Sequence, residues 1–182
     1  FLHPTTKEEY ALARTEKKEG FGHRGFSTDT SKGITLEEDL ARRDFTINAI
    51  AKDSNGTIFD PFGGLQDIER KTLRHITDAF RDDPLRVLRG ARFSATLGFQ
   101  IAEETQSLML DMVKSGELKS LSVERIEREL RLAIAGHHPN YFFETLKKCE
   151  AIPQLLPELD LPQLHNADDP IFQALKHFEG QD

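Results

Sequence analysis

Apolar residues recur at helical spacing along the second two-thirds of the chain. Leu85, Leu88 and Ala95 form one stripe, and Asp83 followed by Pro84 marks where it starts. An N-cap carboxylate precedes proline at the first helical position, where a missing N–H costs nothing. This helix should stop before Gly98. Leu108, Met109, Met112 and Val113 predict a second helix ending near Gly116. Ser122 caps a third, with Ile126, Leu130, Ala133 and Ile134 on its buried face and Gly136 at its end. Pro139 opens a fourth, which turns Phe142, Phe143, Leu146 and Cys149 inward. Past Pro157 the prolines and acids read as a loose tail, with a short helix over Phe172, Leu175 and Phe178.

The first 64 residues have a different texture. Glu9 to Arg14 alternates as a strand, with Tyr10 and Leu12 on one face. Gly20, Gly22, Gly25 and Gly33 punctuate a polar stretch that reads as a mobile loop. Ile47–Lys52 and Thr57–Asp60 flank Asp53-Ser54-Asn55-Gly56, a hairpin signal because Asn-Gly tolerates positive φ. A strand-rich piece followed by a helical piece makes the fold class α+β.

Composition narrows the function classes. The chain has 182 residues, 37% of them hydrophobic and 30% charged, so a core is possible but thin. No run of about 18 apolar residues offers a membrane span. The single cysteine, Cys149, excludes a disulfide framework and fits a reducing, cytoplasmic setting. The net charge of −7 weighs against nucleic-acid binding unless arginines concentrate locally.

They do concentrate in Arg81-Asp82-Asp83-Pro84-Leu85-Arg86-Val87-Leu88-Arg89-Gly90-Ala91-Arg92. At 100° per residue Arg86, Arg89 and Arg92 share one arc, roughly opposite the leucine stripe. A solvated helix face explains such an arc, and so does an anion site, since arginine forks bidentately to phosphate. A second group, Arg43, Asp44 and Asn48, joins a phosphate-grade cation to side chains suited to a ribose hydroxyl. The plain alternative is a surface helix followed by a cap. Asp60-Pro61-Phe62-Gly63-Gly64 is, on local grounds, the turn that closes the hairpin.

Taken together, Arg42-Arg43-Asp44-Phe45-Thr46-Ile47-Asn48-Ala49, Asp60–Gly64 and Asp82–Phe93 come in an order and spacing that resembles a known family. This is the bacterial class II CCA-adding enzymes, tRNA nucleotidyltransferases that rebuild the 3′ CCA end, with their poly(A) polymerase relatives. Glu9–Glu16 and Leu97–Thr105 extend the likeness, which runs from Phe1 to about Asp160 and is most similar to the long bacterial form with a downstream HD domain. The resemblance implies a partial nucleotidyltransferase head over 1–65, a helical neck over 66–136, and a partial body with tail over 137–182. It implies nucleotide-binding roles for Arg43, Asp44, Asn48, Asp83, Arg86, Arg89 and Arg92. ATP, CTP and tRNA are the implied partners, and Mg2+ the implied cofactor. The family's glycine-rich loop and Asp-x-Asp metal pair precede the motifs present, leaving Glu9 as the candidate catalytic carboxylate. The expectation is therefore a portion of a larger enzyme, inactive alone. The alternatives are a poly(A) polymerase or a non-catalytic nucleotide- or RNA-binding remnant. Where the family has Glu, this chain has Asp82.

The base-reading role implied for Asp83 and Arg86 agrees with elementary chemistry. Cytosine and adenine both offer an amino donor beside a ring acceptor, and a carboxylate with a guanidinium satisfies both. Uracil and guanine place a carbonyl where the carboxylate needs a donor. An unpaired buried polar group costs about 1–3 kcal/mol, enough to reject them.

Overall fold

The computed structural model describes residues 4–7, 11, 13–18, 26–29 and 33–156. Its first ladder pairs β1 (Thr15–Lys18) with β2 (Phe26–Asp29) antiparallel, Thr15 opposite Asp29. Two expectations change here. Ala11, Ala13 and Arg14 lie outside the strand, which begins at Thr15. Phe26–Asp29, read as part of a loop, is its partner. Glycine punctuation describes local freedom only, whereas a ladder comes from a partner distant in sequence. Glu9, Tyr10, Leu12 and the helix expected near Phe172 lie outside the described residues.

Helix α1 (Leu36–Ala41) starts with a reciprocal cap. The Glu38 amide donates to Thr35 Oγ1 at 3.2 Å, and the Thr35 amide donates to the Glu38 carboxylate at 2.7 Å. The expected hairpin forms from β3 (Ala51–Lys52) and β4 (Ile58–Phe59), with Gly56 at φ 89° in its turn. Its first arm is shorter than expected, because Thr46–Asn48 coils into a 3₁₀ turn. Tertiary bonds impose that turn: the Thr46 amide donates to Arg74 O at 2.9 Å, and its hydroxyl donates to the buried Asp67 carboxylate at 2.7 Å.

Gly63, at φ 72°, leads into α2 (Gly64–Glu69). A Cβ on Gly64 would fall on the Thr46 carbonyl oxygen, so the second glycine is what lets α2 lie against the 3₁₀ turn. The chain then adds β5 (Thr72–Leu73), a 3₁₀ turn over Asp78–Asp82, and α3 (Leu85–Leu97). Next come β6 (Gln100–Ile101), which pairs parallel to β5, and α4 (Glu103–Lys114). A 3₁₀ turn over Glu117–Ser120 leads to α5 (Val123–Ile134), α6 (Pro139–Lys148) and α7 (Ile152–Leu155). This mixture of short ladders and packed helices is α+β.

Helix α3 is the hub, packed against α5 and α6. Val87, Leu88, Ala91 and Ala95 are fully buried, while Leu85 is half-buried. Phe45 enters the same core, edge-on to Phe80 and Phe93 at 5.4 and 5.8 Å between centroids. That ring pins the segment after α1 onto α3. Phe142, Phe143, Leu146 and Cys149 are buried as expected, and burial pushes the Cys149 thiol up to about 12. On α5 the expected inward face is corrected at its end. Ile134 is 52% exposed, and the buried side chains are Ala133 and Glu129. The periodicity of apolar residues could not reveal that a carboxylate takes an inward position to meet Arg92.

Candidate functional site

A cleft of about 700 Å³ opens between the N-terminal end of α3 and the segment that follows α1. At the helix end, Asp83 stays extended while Pro84 takes helical dihedrals, so Asp83 acts as the cap. Its carboxylate accepts the Leu85 amide at 3.0 Å and is held from α5 by Arg125 at 3.2 and 3.3 Å. Arg86 donates to Ala79 O at 2.9 Å and to Arg42 O at 2.7 Å. One guanidinium thus ties the start of α3 to the end of α1.

The facing wall is built around Asp44. Its Oδ1 accepts the Phe45 amide and the Asn48 side-chain amide, each at 2.9 Å. Its Oδ2 receives Arg89 Nε at 2.7 Å and a second guanidinium nitrogen at 2.6 Å, a two-point grip across 45 residues of sequence. Arg43 is exposed and donates to Asn48 O at 3.0 Å.

Behind this wall sits Asp39, which is buried. It accepts Arg42 at 2.9 and 3.0 Å and the Arg14 amide at 3.1 Å, with Arg43 at 3.6 Å. Burial raises the Asp39 pKa, but the Arg14 amide and the Arg42 and Arg43 charges outweigh it and hold the carboxyl below its usual range.

Arg43, Asp44, Asn48, Asp83, Arg86 and Arg89 therefore share one cleft. Arg92 does not line it: its Nε donates to Glu129 Oε2 at 2.6 Å, its guanidinium lies 3.8 Å from the Phe93 ring centroid, and it faces a smaller neighbouring cleft. Arg14, Arg42 and Phe93 also line the large cleft; sequence reasoning placed Arg42 and Phe93 within its motif strings but gave none of the three a role of its own. Arg42 had a signal, since Asp39 precedes it by three residues and Arg43 by four, the spacing of helical ion pairs. Arg125, which grips the Asp83 carboxylate, lies in Glu124-Arg125-Ile126-Glu127-Arg128-Glu129, a stretch whose resemblance to the family's last neck motif implies that it braces the template helix, although no local spacing names Asp83 as its partner. The lining carries five arginines against two aspartates, a local positive field in an acidic chain.

Among the described residues, no three His, Cys, Asp or Glu side chains converge to hold a metal ion, so the chain's described groups do not fit the expected Mg2+. Glu9 lies outside those residues. Among them too, no helix is long and apolar enough to cross a membrane.

The poly A polymerase head domain family matches residues 3–74, and the family described as a probable RNA and SrmB-binding site of polymerase A matches residues 98–161. The Multifunctional CCA protein of Shewanella frigidimarina is 56% identical over 163 residues, and that of Stenotrophomonas maltophilia 57% identical over 164. Each match covers 88% of this chain but only 39% and 40% of the relative, so the chain spans about two fifths of their length. The Bacillus stearothermophilus CCA-adding enzyme, solved with CTP, superposes with a TM-score of 0.73 at 33% identity, over 90% of this chain and 38% of that one. A tRNA nucleotidyltransferase solved with a primer tRNA and an incoming ATP analogue superposes at 0.67 and 33% identity, over 75% and 42%. With the same motifs in the same order, the chain carries regions of two poly A polymerase families, and it is similar to CCA-adding enzymes over the two fifths of their length that it spans.

Proposed function

We propose that this chain carries the nucleotide-selecting cleft of a tRNA nucleotidyltransferase that adds CCA to tRNA 3′ ends from CTP and ATP. Residues 1–65 belong to the head, 66–136 to the neck and 137–182 to the body, acting on tRNA in the cytoplasm. The convergence of Asp83 and Arg86 with Arg43, Asp44 and Arg89 on one cleft carries the reading.

The roles follow from what each group has left to offer. The Asp83 carboxylate has about four lone-pair sites. With the Leu85 amide and Arg125 satisfied, it can still accept the amino group of cytosine or adenine. Arg86 has five N–H groups and offers a donor to the ring acceptor beside that amino group. Asp44 and Asn48 lie where a ribose hydroxyl can be read, and Arg43 with Arg89 presents guanidinium charge to the triphosphate. Arg89 is 34% exposed while still paired with Asp44, so it is both held and reachable.

Calorimetric titration of this chain with all four nucleoside triphosphates tests the reading. CTP and ATP should bind roughly 5-fold to 100-fold more tightly than UTP and GTP, the range set by one unpaired buried polar group. Asp83→Ala should narrow that gap. Arg89→Ala should weaken all four alike, because every nucleotide shares the triphosphate. Full selectivity in Asp83→Ala, or no preference in the unaltered chain, overturns the assignment.

A further inference from the structure

The wall of the large cleft contains an aromatic ring, that of the half-buried Phe93. Arg89 and Phe93 stand four positions apart on α3, a spacing at which side chains meet. The Arg89 guanidinium carbon lies 5.4 Å from the Phe93 ring centroid, and that of Arg92 lies 3.8 Å from the same centroid. Gly90 makes room for the ring of Phe45, whose tip would lie 3.2 Å from a Cβ at that position. Phe45 in turn meets Phe93 edge-on, at 5.8 Å between centroids. The segment after α1 thus grips α3 through two consecutive residues, Asp44 on the Arg89 charge and Phe45 on the ring beside it. Apolar packing alone does not call for a ring that carries two guanidinium groups at the edge of a polar cleft.

We infer that Phe93 is a positioning residue for nucleotide binding: its ring holds the Arg89 guanidinium ready for the phosphate chain of the incoming nucleotide. The face of an aromatic ring is electron-rich and attracts a cation. A carboxylate does the same, but it takes up N–H donors and cancels the charge. A ring does neither, so charge and donors stay available to phosphate oxygens. The other hold on Arg89 is Asp44, which in the nucleotide reading also meets a ribose hydroxyl. That hydroxyl competes with Arg89 for one carboxylate, whereas the hold of the ring does not depend on it. Arg92, itself fixed by Glu129, lies against the same ring and keeps it from turning away. The role in the reaction rests on the nucleotide reading of the large cleft, but the hold on Arg89 does not.

Replacing Phe93 in turn by its mono-, di- and trifluorinated analogues drains electron density from the ring face while barely changing its size. CTP, UTP and inorganic tripolyphosphate are then titrated calorimetrically into each protein. Affinity for CTP and for tripolyphosphate should fall stepwise with each fluorine, by about 2-fold to 5-fold over the series, the worth of a partly exposed cation–π contact. The preference for CTP over UTP should hold throughout, because the ring acts on an arginine and not on the base. A flat series for either CTP or tripolyphosphate, where the unaltered chain binds it, overturns the proposal, since packing is blind to ring electronics. A preference for CTP that fades with fluorine count overturns it as well, by placing the ring against the base. So does an unaltered chain that binds neither CTP nor tripolyphosphate. If tripolyphosphate binds and follows the fluorine count while CTP does not bind, the nucleotide reading fails and the hold of Phe93 on Arg89 stands.

Discussion

Asp39 illustrates how one residue can govern a site without facing it. It lies behind the cleft wall and holds Arg42 and the Arg14 amide on one oxygen, with Arg43 near the other. Asp39→Asn keeps the shape but removes the charge that fixes two guanidinium groups. Their side chains then regain rotamer freedom, which costs about 0.5–1.5 kcal/mol each when a ligand must order them again. CTP affinity should therefore fall roughly 5-fold to 150-fold, while the preference for CTP over UTP persists because Asp83 and Arg86 are untouched. Titration of the variant with both nucleotides checks this, and a lost preference would contradict it. The i, i+3 and i, i+4 spacing of Asp39 with Arg42 and Arg43 makes this role legible in the sequence. Spacing alone does not show the grip of Arg125 on Asp83, since nothing local links residues 42 apart.

At the scale of elements, α3 and α5 meet through a buried charged pair. Arg92 and Glu129 have side chains only 13% and 5% exposed, with Nε and Oε2 at 2.6 Å. Removing one partner of a buried pair strands the other charge, at about 3–5 kcal/mol. Glu129→Ala should lower the unfolding free energy obtained from urea titration by that much, and the midpoint with it. Glu127→Ala, which breaks the exposed pair with Arg131 on the same helix, should stay within about 1 kcal/mol. Equal midpoints would show that Glu129 is not buried as described. The same pair explains why the arginine arc of α3 divides. Arg86 and Arg89 reach the large cleft, whereas Arg92 is drawn to α5. Helical periodicity places all three on one side of a cylinder, but cannot say which neighbouring element each will meet.

At the scale of the whole molecule, His75 joins the segment after β5 to α4. Its backbone amide donates to Thr105 Oγ1 at 3.0 Å, and its ring Nδ1 lies 2.8 Å from the same oxygen. With one lone pair of that hydroxyl occupied, a neutral ring can accept its proton. Burial lowers the His75 pKa below 6.5, with Arg74 and Arg81 adding to it and Asp78 opposing. A folded value below the unfolded one means that the native state binds fewer protons. The stability it contributes is full above about pH 6.5 and is lost as pH falls through the folded value. The melting temperature should therefore drop between about pH 7 and about pH 5.5, and His75→Asn, which keeps an acceptor, should flatten that drop. An unchanged slope in the variant would remove His75 as its cause.

Local chemistry made much of this protein readable in advance. The Asp83-Pro84 start of α3, the Asp53–Gly56 turn, the stop at Gly98 and the inward face of α6 each depend on residues within a few positions of one another, where dihedral preference and helical period decide. The motif residues Arg43, Asp44, Asn48, Asp83, Arg86 and Arg89 were legible for the same reason, as short strings in a fixed order. Tertiary structure alone decided the rest. It paired Phe26–Asp29 with Thr15–Lys18, coiled Thr46–Asn48 through Asp67 and Arg74, buried Glu129 in place of Ile134, and sent Arg92 out of the large cleft into a smaller one. In each case the deciding partner is distant in sequence. A buried charge or an open backbone group is satisfied by whichever complementary group folding brings within reach, and that partner has no periodicity of its own to announce it.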